Sequence, residues 1–410
     1  MEEITINNWR WHITEPELLE QWFADFKAEL SGLSTSRRGD SIQKETHTSP
    51  LRGDVDCDQK VCRPLEDGDS IQKETHISPL CGVKGNLERD VFRFEYKGRG
   101  YFAKYAHPVS FFQRVRSTLF PKLSAEFESI RLLEKLGVPV VNAVGWGSCG
   151  SESMLITEEL RNSQSVRDYW FSEAVKDDKL RVAFLANFAD FLKAFFDAGI
   201  YHPDFHPGNI MIVRDSQKFV LVDPYGVVKK DKISESELFE MLCIIGAFRG
   251  EIHDSEGADF IEKVLGVSSD RAEREWRRVL KHEAEKSEKL WCKRSSRAFT
   301  DLRNSQVFVK DNCEVRIRKT IVRKFFINPD NLSELDDSTK YSFKELSGDE
   351  AEKEWLNSLY LQIHRIPHIY PVVWISKREE SDKLYFKKEE SRILSDDEIQ
   401  ARCTLAGIEK

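Results

Sequence analysis

No stretch of the 410-residue chain approaches the roughly 18 consecutive apolar residues that a membrane-spanning helix requires. The longest apolar block, Leu238 to Phe248, is interrupted by Glu240. A basic-then-apolar leader is also missing: the first residues read MEEITINNWRW, and a cytoplasmic protein is expected. The eight cysteines (57, 62, 81, 149, 243, 292, 313 and 403) form no C-x-x-C pair, and no histidine stands at zinc-ligand spacing. Reduced packing thiols are therefore expected, rather than a metal site at Cys57, Cys62 and Cys81. Basic excess is lacking too, with 62 Lys and Arg against 70 Asp and Glu, a net charge of −8. That balance gives no overall attraction to nucleic acid or anionic membrane and leaves any such contact to a local patch.

What is present centres on Tyr201 to Ile210, YHPDFHPGNI, with a second acidic position at Asp223 in LVDPYG. Asp204 and Asn209 stand five apart, and Asp223 follows fourteen residues later. A carboxylate near an attacking hydroxyl, plus an amide and a second carboxylate able to hold Mg²⁺ against a triphosphate, is the minimum apparatus of phosphoryl transfer.

The length suits two or three domains. Residues 1–33 are read as an N-terminal helical segment, because Trp9, Trp11, Leu18, Leu19, Trp22, Phe23 and Phe26 suit an amphipathic helix starting near Thr14-Glu15-Pro16. GDSIQKETHTSPL, from Gly39, recurs as GDSIQKETHISPL, from Gly68. A solenoid needs three or more such units with an apolar face, so residues 34–80 are read as a disordered insertion carrying a duplicated 13-residue repeat. His47 and His76 follow from that repetition, not from metal binding.

A kinase small lobe is expected over 81–160. Val91 to Tyr96 and Tyr101 to Tyr105 read as a hairpin around Lys97-Gly-Arg-Gly100, with Lys104 on its second strand. A helix over Ser124 to Leu136 follows, with Glu126 preferred over Glu128 as the partner of Lys104. No G-x-G-x-x-G precedes the hairpin, and Lys84-Gly85-Asn86 is the candidate phosphate-covering turn. Two buried strands around Ser148 to Glu152 then lead to Glu158, Glu159 and Leu160, whose backbone would meet adenine. Between Lys97 and Leu123 stand Lys97, Arg99, Lys104, Arg114, Arg116 and Lys122 with no acid, interleaved with Phe111, Phe112 and Phe120. A solvated loop and a surface for an anionic or membrane-embedded substrate are both open readings.

A large lobe is expected over 161–297, with an amphipathic helix from Leu180 to Ala198 delivering the chain to YHPDFHPGNI. Residues 298–410 read as a C-terminal α+β region, a possible truncated second lobe: a hairpin, a helix from Ala351 and two strands repeat the earlier order without a second H-x-D-x-x-x-x-N.

From Val91 to Val228 the chain resembles the lipopolysaccharide kinase (Kdo/WaaP) family, through RFEYKGRGYFAKY, AEFESIRLLEKLGVPV, AVGWG, SESMLITEEL, AGIYHPDFHPGNIMI and LVDPYG. The resemblance implies an α+β, protein-kinase-like two-lobed fold, with an antiparallel-sheet small lobe and a mostly helical large lobe. It implies ATP and Mg²⁺ as cofactors, a heptose or Kdo hydroxyl of the lipopolysaccharide inner core as acceptor, and contact with the core or another anionic glycolipid at the cytoplasmic face of the inner membrane. No nucleic-acid partner is implied. Residue by residue, Lys104 would bind ATP phosphates, Glu126 would orient it, Asp204 would be the catalytic base, and Asn209 and Asp223 would bind Mg²⁺. His202 would brace the loop and His206 would pack. Pro203 stands where H-R-D has its arginine, and the short run from Gly226 to Glu235 leaves no room for a long activation segment. A pseudokinase or scaffold, or a kinase-like enzyme for another small molecule or a protein, is the alternative.

Overall fold

The computed structural model describes residues 1–6, 8–16, 19, 81–85, 89–295, 305–319, 325, 327–377, 381–388 and 394–407. The repeat-bearing insertion at 34–80 lies outside them, as do Leu18, Trp22, Phe23 and Phe26. The chain divides into two compact units, one comprising 1–163, 202–204 and 209–229, the other 164–201, 205–208 and 230–410.

The first unit is built on a seven-stranded antiparallel sheet. Its strands are β1 (Glu2–Ile6), β2 (Trp9–Ile13), β3 (Cys81–Gly85), β4 (Arg89–Tyr96), β5 (Arg99–Ala106), β6 (Ala143–Cys149) and β7 (Glu152–Glu158), in the order β1-β2-β6-β7-β5-β4-β3. Lys97 and Gly98 join β4 to β5 with φ of 49° and 72°. Two successive positive φ values match the right-handed twist of the flanking strands, as tight hairpins require. Helix α1 (Phe111–Leu119) and helix α2 (Lys122–Lys135) follow. Leu123, Phe127 and Ile130 of α2 pack against Val141, Ala143 and Leu155 on one side of the sheet. The opposite side buries Phe92, Phe94, Tyr101, Met154 and Ile156 with Trp9, Trp11, Ile13 and Leu19.

The N-terminal helix expected to take in Trp9 and Trp11 is corrected here: both lie on β2, paired with β6. Trp9, Trp11 and Ile13 alternate, and a period of two puts all three on one side of a strand. Trp11 stands opposite Gly147, where an added Cβ would meet its indole at 2.5 Å, so the glycine makes room for the ring.

A second hairpin, β8 (Ile210–Val213) and β9 (Lys218–Leu221), pairs Ile210 with Leu221. The register therefore places Asn209 opposite Val222, whose amide donates to the Asn209 carbonyl at 2.9 Å. This is why Asp223, distant in sequence, arrives beside Asn209.

The second unit contains helices α3 (Val166–Ser172), α4 (Asp178–Asp197), α5 (Glu235–Leu242), α6 (Asp254–Leu265) and α7 (Ser269–Arg294). Trp170, Phe184, Phe188, Phe248 and Phe260 form an aromatic centre with ring separations of 4.7 to 6.3 Å. The unit continues into β10 (Ser305–Lys310), β11 (Cys313–Arg318), β12 (Tyr341–Leu346), α8 (Gly348–His364), β13 (Pro371–Lys377), β14 (Asp382–Lys387) and α9 (Asp396–Leu405). Buried arginines tie this region to α6 and α7. Arg249 donates to Ser287 Oγ at 2.8 Å and to the Ile363 carbonyl at 3.4 Å, and Arg402 Nη2 lies 2.8 Å from Asp254 Oδ1.

The described residues of 298–410 have the expected α+β character, and their connectivity is like that of the small lobe. The sheet order is β10-β11-β13-β14-β12. The strand before the helix pairs with the last strand in both, β5 with β7 and β12 with β14. The hairpin β10–β11 joins β13 as β1–β2 joins β6, so it corresponds to β1–β2 and not, as the sequence order suggested, to β4–β5. Hydrophobic alternation locates strands but does not specify their neighbours.

Glu398 of α9 accepts from the Asp254 amide at 2.7 Å and lies 3.0 Å from His253 Nδ1, at the N-terminus of α6. Burial opposes its charge, but hydrogen bonds from Asp254, Ser395 and His253 prevail and hold its pKa at about 2 instead of 4.5. A depressed carboxyl stabilises the fold above its unfolded pKa and loses that contribution as pH falls through the folded value. Glu398→Gln is thus expected to flatten the decline of the urea midpoint between pH 4.5 and 2, compared with the parent protein.

Candidate active site

Glu126 belongs to the buried stripe of α2 with Leu123, Phe127 and Ile130, and is 1% exposed. Glu128 is exposed. A carboxylate so placed needs cations nearby, because burial without a partner is costly. Two are supplied: Lys104 Nζ donates to Oε1, and Arg89 Nη2 donates to Oε2 at 3.1 Å. Lys104 also donates to the Val222 carbonyl at 3.2 Å and lies 3.9 Å from Asp223 Oδ1. The strand lysine is thereby held between a helix carboxylate and the segment that ends in Asp223.

The loop from His202 to Asn209 is fixed through its own polar groups. The Asp204 amide donates to His202 Nδ1 at 3.1 Å, so that nitrogen carries no proton. The proton resides on Nε2, which then donates to the Asp223 carbonyl at 3.0 Å. One neutral imidazole thus ties the two acidic segments together. Asn209 Nδ2 donates to the Asp204 carbonyl at 3.3 Å, which leaves its Oδ1 as an acceptor. The Asp204 carboxylate is exposed. Gly226 closes the DPYG turn with φ of 84°, and an added Cβ would stand 3.3 Å from the Pro203 ring. His206 is a correction to the packing role expected of it: it is exposed, and its Nδ1 accepts from the Gly208 amide at 3.0 Å.

Lys104, Asn209, Asp223, Glu158, Glu159 and Leu160 line one cavity of about 480 Å³, whose apolar walls include Val91, Phe102, Val141, Met211 and Val222. Its lining combines apolar surface with cations and carboxylates, as suits a nucleotide site. The backbone expectation for adenine is narrowed. The Glu158 amide donates to the Asn142 carbonyl and the Glu159 amide to the Gly100 carbonyl, both at 2.9 Å. Among the described residues, the Leu160 amide is the one in this stretch with no acceptor. The Glu159 side chain is held by Arg93, at 2.6 and 2.8 Å. Gly85 ends β3 opposite Asp90, and Asn86, with residues 87–88, lies outside the described residues.

Asp223 Oδ1 is enclosed and accepts no hydrogen bond among the described residues. With the Asn209 carboxamide it offers hard oxygen donors of the kind that hold Mg²⁺ beside phosphates. Sequence reasoning missed Arg89. Its signal was the two-residue offset from Val91, which puts both on the same side of β4, but its partner Glu126 is 37 residues away.

The sheet with its covering helix, the strand lysine paired to a helix glutamate, and the loop carboxylate–amide–carboxylate set define a protein-kinase-like fold. Comparison with family profiles matches residues 91–226 to the lipopolysaccharide kinase (Kdo/WaaP) family, a span that includes Lys104, Glu126, Asp204, Asn209 and Asp223. Among solved structures, the crystal structure of Rad53 1-466 in complex with AMP-PNP aligns with a TM-score of 0.32 and 16% identity, covering 42% of this chain and 47% of that one. The chain thus spans about half the length of that structure. A search of curated proteins finds no match. No helix among the described residues is long and apolar enough to cross a membrane.

Proposed function

We propose that the protein is an ATP- and Mg²⁺-dependent kinase that transfers the γ-phosphoryl group to a sugar hydroxyl, heptose or Kdo, of the lipopolysaccharide inner core. The observation that carries the reading is the convergence of Lys104, Asn209 and Asp223 on one cavity, with Lys104 held by Glu126 and Asp204 on the loop braced by His202. The acceptor class comes from the family match over 91–226.

In this reading the acceptor oxygen bonds to the γ-phosphorus as the bond to the β–γ bridging oxygen breaks, and ADP leaves. Asp204 orients the hydroxyl and accepts its proton late, because little covalent work is asked of the protein in so dissociative a step. Lys104 holds the α- and β-phosphates, and Glu126 fixes the lysine. Asn209 and Asp223 would hold Mg²⁺, which when bound neutralises charge on the β- and γ-phosphates. The Leu160 amide would meet adenine.

The test is transfer of labelled phosphate from ATP to purified core oligosaccharide, with casein as the comparison. Label on the oligosaccharide at least tenfold above casein is expected. Equal labelling would reassign the acceptor, and labelling of neither, together with no thermal stabilisation by Mg²⁺-ATP, would favour a scaffold.

A further inference from the structure

Helix α1 is turned inside out relative to a helix on a soluble domain. At 3.6 residues per turn, Phe111, Phe112, Val115 and Leu119 fall within an arc of about 100°. A surface helix ordinarily points such an arc at the core. Here the arc faces outward: Phe111 is 73% exposed, Phe112 84% and Leu119 65%, and no residue of the helix is buried. The half-buried side chains are the polar Gln113 and Ser117, on the opposite side. Val109 and Phe120, flanking the helix, extend the exposed apolar surface.

Charge identifies what covers it. Arg114 and Arg116 flank the apolar arc, about 60° and 40° beyond its edges on either side. From Lys97 to Leu123 the chain carries six Lys or Arg and no Asp or Glu, against a net charge of −8 for the whole. Arginines at both margins of an apolar stripe can lay their stems along hydrocarbon while their heads reach phosphates. A protein partner would ordinarily need some 20–30 residues a side, whereas this surface is one short helix and its two flanking residues.

We propose that α1, with Val109 and Phe120, is an in-plane anchor for an anionic phospholipid bilayer. The apolar arc would enter the acyl boundary, and Arg114, Arg116 and Lys122 would meet the headgroups. The helix begins five residues after β5 ends, so the anchor would hold the strand of Lys104 close to the bilayer surface. The inference does not rest on the proposed reaction.

Vesicle flotation without ATP or acceptor tests it, using phosphatidylcholine vesicles with and without about 30% phosphatidylglycerol. The parent protein is expected to float with the anionic vesicles and to be released by salt. Arg114→Gln with Arg116→Gln should weaken binding by about 25-fold, taking roughly fivefold for each basic residue near a charged surface. Phe111→Ser with Phe112→Ser should weaken it at least tenfold, by roughly the transfer cost of the lost apolar area. Since no residue of α1 is buried, both variants should keep the parent melting temperature, which checks their folding. The proposal is overturned if the parent protein stays with the soluble fraction, or if the phenylalanine variant floats as well as the parent. It is equally overturned if the parent is a dimer in light scattering that the phenylalanine variant dissociates, which would make the surface a contact between copies of the chain.

Discussion

Asp223→Ala is expected to reduce phosphate transfer by about a thousandfold or more and to remove the Mg²⁺-dependent part of thermal stabilisation by ATP. Loss of a single preorganised electrostatic group in an active site commonly costs a factor of about 10²–10³, and here the same carboxylate would also carry the metal. The enclosed Asp223 Oδ1 has no hydrogen-bond donor among the described residues that could substitute for a cation, and the nearest positive charge, Lys104 Nζ, stands 3.9 Å away. At ATP concentrations about 100 times Kd, binding contributes about 2.7 kcal/mol to the folded state. In a protein of this size that shifts the melting temperature by several degrees, which scanning fluorimetry resolves. The alanine variant should show the same melting temperature with and without Mg²⁺ in the presence of ATP. An undiminished Mg²⁺-dependent shift would remove Asp223 from the metal site.

The parts of this site that were legible in the sequence are those set by local pattern. Asp204 and Asn209 share one short loop, and the apolar run after each of Asn209 and Lys218 marks the two strands whose pairing returns Asp223 to Asn209. Lys104 could be placed because its strand alternates, and Glu126 because it falls within a helical stripe. What could not be read depends on distant partners. Trp9, Trp11 and Ile13 suit a helix start as well as a strand, and only pairing with Gly147 and its neighbours, more than 130 residues on, decides between them. Four strands of the C-terminal sheet were visible, but β12 was not, and without it the correspondence of β10–β11 to β1–β2 could not be read. Helix α1 is the same lesson in reverse: periodicity defines its apolar arc, yet says nothing of which side the protein occupies. Nor could counting cations reveal that Glu126 is shared, since Arg89 reaches it from the start of β4.

That sharing makes Glu126→Gln the second substitution with a large expected effect, and one that separates positioning from structure. Removing one partner of a buried ion pair typically costs about 3–5 kcal/mol, because the remaining charge stays desolvated. Lys104 and Arg89 are 12% and 33% exposed at their side chains, so water relieves part of that penalty and the lower end, about 3 kcal/mol, is expected in urea unfolding. The kinetic effect has a different origin. Once the Glu126 carboxylate is neutral, the closest acidic group to Lys104 is Asp223, and a shift of about 1 Å would convert their 3.9 Å approach into a direct ion pair. The lysine would then compete with Mg²⁺ for the carboxylate, besides leaving the phosphates. We therefore expect kcat to fall by about 10²-fold, as misplacement of a charged group by an ångström can produce, and the Mg²⁺ concentration for half-maximal activity to rise with it. Raising Mg²⁺ should recover part of the lost rate in Glu126→Gln. A purely structural role for Glu126 would lower stability and leave the Mg²⁺ dependence where it was.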